Sequence, residues 1–396
     1  MSGRSDIQMP QEDGFGPRAP RIVLIGHTAG ATLNFRALLI ADLVAAGWRV
    51  EVLAPDWTPE QIERLKALGA HAGTFPLART GLNPVQDLRT LAALERHLHQ
   101  AQPDAVFSYA AKTNVWGMLA AAWVGVPRRV AMVEGLGYVF TDSTHGRRSL
   151  KRRAVRGLLA GLYRGAFRAA HRVVVLNPDD ARDLQQWCDL PVHKTVLTRG
   201  IGVPLNEWPM QPPHLQPLTF TLVARLLREK GVLEFLTAAR MIKADFPSVR
   251  FWLLGPLDDN PGGLTAADLE PWLRDGTVEW PGQVEVRPWL AQTSVFVLPS
   301  YREGVPRSTQ EAMAMGRPVI TTDVPGCRET VIDEVNGFLV PPRDATALAA
   351  AMRRFIEQPE MIERMGRESR RLAEERFDVR QVNRRLLAVL GVDVAQ

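Results

Sequence analysis

The chain has 396 residues, 46% of them hydrophobic and 23% charged, with a formal net charge of +5. That length suits two domains rather than one core, and that composition excludes a fibrous or wholly disordered chain. No apolar run reaches the roughly 18–20 residues that span a bilayer. Residues 1–19 lack the apolar stretch of a secretory signal, so a disordered tail is expected there. The two cysteines, Cys188 and Cys327, lie far apart and form no ligand cluster, which points to a reducing cytosol.

Arg21–Gly26 is the first predicted strand. A helix is expected over roughly Leu33–Ala46, with Phe35, Leu38, Leu39 and Leu43 on one face. Further strands are expected at Arg49–Ala54, Ala105–Tyr109, Val130–Val133 and Arg172–Leu176. The last ends at Asn177-Pro178, where a new helix begins. Apolar strands alternating with helices imply a parallel sheet covered on both faces. Pro204, Pro209, Pro212, Pro213 and Pro217 suit neither a helix nor a sheet interior and place a linker over 204–217. The pattern then restarts, with strands at Phe220–Ala224, Val249–Gly255, Val295–Ser300 and Pro318–Thr322. Two helices belong to this part, one marked by Val232, Leu236, Ala239 and Ile242, the other starting after the N-cap Asp344. The expected fold class is α/β, two doubly wound Rossmann-like domains over 20–203 and 218–375 that face a central cleft. A terminal helix in 376–396 returns to the first domain. Ligands bind such sheets beyond the carboxyl ends of the strands.

Three segments carry chemistry. In the segment 295–326 a strand is followed by a loop with Glu303, Gly304 and Val305. Pro306 then suits a helix start, because its missing N–H costs nothing there. The amides of Arg307, Ser308 and Thr309 should be open donors, a setting for a diphosphate. Glu303 and Glu311 would flank that anion and meet the hydroxyl-bearing rings at its two ends. Arg225 follows a strand and Lys230 precedes a helix, so both cations should reach the same rim and neutralise a leaving nucleoside diphosphate without a metal. The third segment is the loop Gly26-His27-Thr28-Ala29-Gly30 with Asn34 and Phe35. Its glycines permit close approach of a ligand.

Glu303, seven residues, Glu311 and then AMAMGRPVI resemble the E-x7-E signature of glycosyltransferase family 4, and Arg225 and Lys230 match that family's diphosphate-binding pair. The resemblance runs over residues 20–390. It implies a GT-B fold, retention at the anomeric carbon and no cofactor or essential metal. HTAGATLNFRALLI, LARTGLNP and MVEGLGYVFTD are similar to bacterial N-acetylgalactosaminyltransferases acting on undecaprenyl-diphosphate-linked bacillosamine. That implies a UDP-sugar donor, an N-acetylhexosamine, and a polyprenyl-diphosphate-linked acceptor for surface glycan or glycoprotein assembly. Where many family members carry a histidine, this chain has Glu134, a catalytic candidate beside Glu303, Arg225 and Lys230. Gly30, Gly304, Val305, Arg307, Ser308 and Glu311 are the donor-binding candidates. His27, Asn34 and Phe35 are candidates for the acceptor or the sugar.

Between Asp142 and Asp179 no acidic residue occurs, while Arg147, Arg148, Lys151, Arg152, Arg153 and Arg156 alternate with apolar residues as far as Phe167. This suits a helix on an anionic membrane surface and predicts a peripheral protein of the inner face of the cell membrane. No nucleic-acid module accompanies the charge. The alternatives are a UDP-sugar epimerase or hydrolase of the same fold and an NAD-dependent oxidoreductase, although Gly26–Gly30 lacks GxGxxG spacing. No DxD motif is present to hold a donor's metal ion.

Overall fold

The structure, a computed structural model, describes residues 19–78, 83–136, 150–260 and 262–392, and for 150–155 the backbone only. The N-terminal half alternates strands and helices: β1 Arg21–Ile25, α1 Ala29–Ala45, β2 Arg49–Leu53, α2 Pro59–Ala67, β3 His71–Gly73, α3 Pro84–Ala101, β4 Ala105–Tyr109, α4 Ala111–Val124, β5 Arg128–Val133, α5 Leu150–Ala169, β6 Arg172–Val175, α6 Pro178–Cys188 and β7 Thr195–Leu197. The second half repeats the pattern: β8 Thr219–Val223, α7 Val232–Asp245, β9 Arg250–Leu254, α8 Ala266–Arg274, β10 Glu279–Gly282, α9 Arg287–Ala291, β11 Val295–Leu298, α10 Arg307–Ala314, β12 Val319–Thr322, β13 Gly337–Val340, α11 Ala345–Glu357, α12 Glu360–Arg376 and α13 Val379–Leu390.

The strands form two all-parallel sheets, in the orders β3-β2-β1-β4-β5-β6-β7 and β10-β9-β8-β11-β12-β13. Each order reverses once, between β1 and β4 and between β8 and β11. At such a reversal the neighbouring crossovers leave to opposite faces and open a crevice above the strand ends. Alternation within β1 supplies both faces: Ile22 and Leu24 join one core cluster, Val23 and Ile25 the other, and all four are fully buried.

Local chemistry sets the helix starts. Thr58 and Gln61 form a capping box before Pro59, Asn177 accepts from the amide of Asp180, and Asp344 accepts from that of Ala347. α1 starts earlier than Leu33, because Thr28 caps it and Asp56 Oδ1 takes the amide of Ala29 at 2.7 Å. Its inward face is Thr32, Leu33, Arg36, Leu39, Ile40 and Leu43. Phe35 and Leu38 are exposed, contrary to the apolar stripe expected, because Arg36 occupies the inward position. β3, β7, β10 and β13 add to the expected strands; all four are short strands at sheet edges, and of them only β13 is strongly apolar.

The chain crosses between the halves twice. The crossings lie side by side, with Val203 N donating to Phe377 O at 2.7 Å and Val379 N to Val203 O at 3.1 Å. Gly202 has φ +78°, and a Cβ there would sit 2.7 Å from Val379 Cα, so the crossing needs glycine. α13 then packs on α1 and β5, where Asn383 Nδ2 donates to Asp42 Oδ2 at 2.7 Å. The proline-rich stretch is anchored by the buried Arg317, which donates to Gln211 O at 2.8 Å and to Thr293 O at 2.9 Å. Cys188 and Cys327 are buried free thiols. Trp252 and Trp289 pack edge to face at 4.8 Å.

Candidate functional site

Outside the carboxyl ends of β8 and β11 the backbone is pressed tightly together. Gly231 closes the turn after Lys230 at φ +71°, and a Cβ there would lie 2.1 Å from Pro299 O. This brings Lys230 Nζ to 2.5 Å from Glu303 Oε1, which also accepts from Ser300 Oγ at 2.7 Å. Lys230 and Glu303 keep only 19% and 11% of their side-chain surface exposed, which leaves the pair a narrow window on the cleft. Gly304 and Val305 are buried behind it.

α10 starts just beyond. Pro306 is its N-cap, and no side chain caps it, so its first amides keep their donors open. One turn in, the buried Thr309 hydroxyl has no hydrogen-bond partner among the described residues. Arg307 and Ser308 are half-buried. The amide of Arg307, the group expected at the diphosphate, is one of these open donors, but its side chain does not follow it. Instead it turns sideways: its Nε donates to Glu311 Oε1 at 2.9 Å, its Nη1 to Gly202 O at 2.6 Å, and its guanidinium lies 5.7 Å from the Phe35 ring. It therefore holds Glu311 and the crossing strand. Burial pushes the Glu311 carboxyl above the ordinary carboxylate range, and Arg307 pulls it part of the way back. Arg225 is more than half exposed and pairs with Asp258 Oδ2 at 2.7 Å. Backbone and side-chain hydrogen bonds from Asn260 and Arg225 hold Asp258 below the carboxylate range despite desolvation.

The N-terminal edge is assembled from distant positions. Arg36, 2% exposed, donates to Glu134 Oε1 and to Met132 Sδ and lies 5.2 Å from the Tyr109 ring. Tyr109 shares a 2.8 Å hydrogen bond with Thr32, and burial pushes its hydroxyl pKa up. Beside them is a cavity of about 200 Å³ lined by Ala110, Ala111, Asn114, Val133, Glu134, Gly135 and Tyr163. Ala110 has φ +74° and ψ 157°, a region normally left to glycine, so strain is stored at this wall. The two edges meet here: a Cβ on Gly304 would lie 1.8 Å from Glu134 O. Glu134 and Glu303 thus sit on abutting backbones.

The remaining candidates are more scattered. Gly26 is required by Thr32 and Tyr109, since a Cβ there would lie 2.5 Å from Thr32 Oγ1. Gly30 is in the first turn of α1 and has room for a side chain, so close packing does not explain it. His27 is half-buried, and Asn34 faces solvent in α1. Arg147 and Arg148 fall outside the described residues, as do the side chains of Lys151, Arg152 and Arg153 in α5. Arg156 is packed 4.2 Å from the Trp187 ring. The apolar face of α5 is turned to the protein: Tyr163 and Phe167 are buried and stacked at 5.1 Å, because α5 covers the sheet beside α4. Among the described residues no helix is long and apolar enough to cross a membrane, and no three His, Cys, Asp or Glu side chains gather into a metal-holding group. Sequence reasoning missed Arg36, Tyr109, Ser300 and Asp258. Of these only Arg36 carried a signal, a cation on the inward side of an apolar helix.

The chain is similar to known glycosyltransferases in sequence and in fold. Residues 37–203 match the model of Glycosyltransferase Family 4, and residues 217–358 that of Glycosyl transferases group 1. The chain is 29% identical to the N,N'-diacetylbacillosaminyl-diphospho-undecaprenol alpha-1,3-N-acetylgalactosaminyltransferase of Campylobacter jejuni subsp. jejuni, over 86% of this chain and 90% of that protein. It is 25% identical to the UDP-Gal:alpha-D-GlcNAc-diphosphoundecaprenol alpha-1,3-galactosyltransferase of Escherichia coli, over 71% and 74%. In fold it is similar to sucrose-phosphate synthase from Thermosynechococcus elongatus, with a TM-score of 0.73, 22% identity and coverage of 93% and 98%.

Proposed function

The chain belongs to the group 1 and family 4 glycosyltransferases, and from that premise we propose that it moves an N-acetylhexosamine from a UDP-sugar to a polyprenyl-diphosphate-linked saccharide in bacterial surface glycan or glycoprotein assembly. The observation that carries this reading is the Lys230–Glu303 pair set beside the uncapped start of α10. A cation and open amides match a diphosphate. A fixed carboxylate one residue before Gly304 matches a hydroxyl of the attached sugar. The name of the Escherichia coli relative supports the UDP donor, and the names of both relatives support the undecaprenyl-diphosphate-linked acceptor.

In this mechanism Lys230, Arg225 and the α10 amides hold the diphosphate, Glu311 accepts from the ribose hydroxyls, and Glu303 orients the transferred sugar. The bond from the anomeric carbon to the diphosphate oxygen breaks while the acceptor oxygen bonds to the same carbon on the same face. The acceptor proton passes to the departing phosphate oxygen, and configuration is retained. Charge developing on that oxygen is stabilised by Lys230 and the amides, with no metal required. The cavity beside Glu134 takes the acceptor saccharide, and Arg36 keeps Glu134 aimed at it.

A donor screen with purified protein and a lipid-diphosphate saccharide tests this. UDP release from UDP-N-acetylgalactosamine or another UDP-N-acetylhexosamine is expected only when acceptor is present. Equal release without acceptor would make the protein a hydrolase. The basic start of α5, with exposed Leu158, Arg168 and Arg172 further along, supports docking on the inner face of the membrane. Vesicles with anionic lipid should bind the protein more tightly than neutral ones; equal binding removes the electrostatic part of that reading.

A further inference from the structure

The loop that carries Glu303 is gripped on both sides by the other half of the molecule. Before Glu303, Arg302, 10% exposed, donates to Asp180 Oδ1 and, at 2.5 Å, to Asp183 Oδ2. After it, Asn177 Nδ2 donates to Gly304 O at 2.6 Å. All three partners belong to the start of α6. Asn177 Oδ1 caps that helix by accepting from Asp180 N at 2.7 Å, and its Nδ2 also donates to Asp180 Oδ2 at 3.0 Å. Asn177 and Asp180 are fully buried. Arg328 adds a more exposed link, 2.8 Å from Asp179 Oδ2.

This arrangement is more than α6 needs. Asn177 alone satisfies its cap, and a buried carboxylate is costly unless a close cation and hydrogen bonds offset the desolvation. Burial pushes the Asp180 carboxyl above its ordinary range, and Arg302 works against that. The offsetting cation comes from the opposite sheet, one residue away from Glu303. The Glu303 side chain is held within its own half by Lys230 and Ser300, whereas the backbone on either side of it is held from across the cleft.

We propose that Asn177, Asp180 and Arg302 are positioning residues that seat residues 302–304 against α6, so that Glu303 is set for the transferred sugar only while the two halves are in contact. The inference rests on Glu303 as the sugar-binding acid. UDP itself meets Lys230, the α10 amides and Glu311, all on the C-terminal half, so its binding does not need this grip. Sugar transfer does.

Three full-length variants test the proposal. Arg302→Lys keeps the charge but loses the planar fork. Arg302→Met with Asp180→Asn removes the pair without leaving a buried charge unpaired. Glu303→Gln is the reference. The readouts are kcat and KM with UDP-N-acetylgalactosamine and acceptor, the Kd of UDP alone, and amide exchange over 301–306. The double variant should lose about 10²-fold in kcat and Arg302→Lys about tenfold, while the Kd of UDP stays within about threefold. Exchange in 301–306 should quicken about tenfold with β8 and β11 unchanged. Wild-type kcat in the double variant overturns the proposal. So does UDP affinity falling in step with kcat, or faster exchange across the whole C-terminal sheet, either of which makes the pair a general fold element. Wild-type turnover in Glu303→Gln removes the sugar-binding reading itself, and the proposal with it.

Discussion

Along the C-terminal edge of the cleft, charges stand in pairs, two of them largely buried, Lys230 with Glu303 and Arg307 with Glu311, and one more exposed, Arg225 with Asp258. Along the N-terminal edge, among the described residues, the charge pair beside the cavity is Arg36 with Glu134, drawn from positions 98 apart, and the cavity is walled mainly by alanines, Val133 and Tyr163. The first edge offers cations already paired with carboxylates, the charge that the proposed diphosphate would need. The second offers volume, a strained backbone and a single fixed carboxylate, which suits an uncharged ring. The two edges therefore differ in how charge and space are distributed, and the proposed division between diphosphate and saccharide follows that difference.

Four experiments break or sharpen this contrast. The largest effect is expected for Lys230→Ala, a loss of at least about 10²-fold in transfer with an unchanged circular dichroism spectrum. Near-wild-type turnover would take the diphosphate away from the C-terminal edge. Arg36→Met should lower kcat by about 10- to 10²-fold, because Glu134 loses the cation that aims it, while UDP affinity is untouched. Equal damage to UDP affinity would merge the two edges into one site. Arg225→Ala should weaken UDP by about tenfold or less, since that side chain is more than half exposed and its charge is screened. A loss as large as that of Lys230→Ala would contradict this ranking.

The smallest effect concerns pH. Burial raises the Glu311 pKa, so its proton is held to a pH above the ordinary carboxylate range. A protonated carboxyl accepts less well from ribose hydroxyls. UDP binding should therefore strengthen, by about threefold, as pH rises through that raised pKa. Glu311→Gln should flatten the dependence. An unchanged profile in that variant would assign the titration to another group.

Much of the C-terminal edge was legible because its parts are contiguous. Strand, Pro306, Glu303 and Glu311 fall within 295–326, and the turn at 225–231 needs only Gly231 to fold back onto Pro299. Yet only the amide of Arg307 was legible from its position at the helix start; its side chain turns to Glu311 and Gly202. A helix start fixes where the amides point but leaves a long side chain free to find the nearest carboxylate. At the N-terminal edge the sequence marked Glu134 but not its partner, and it took Phe35 for a core residue. The inward place in that turn belongs to Arg36, which a hydrophobic pattern ranks as outward.

By itself the sequence determined the two alternations of strand and helix and the run from strand through Pro306 to helix that carries Glu303 and Glu311. Periodicity, caps and glycine turns act between residues a few positions apart, and these are written in order along the chain. Only the tertiary structure decided that Arg36 reaches Glu134, that Gly304 abuts Glu134, and that α6 of one half grips Arg302 and Gly304 of the other. Those contacts join residues 98 or more positions apart, and all but the first cross between the two separately wound halves. Their cost and their stabilisation exist only after both sheets have formed and closed on one another.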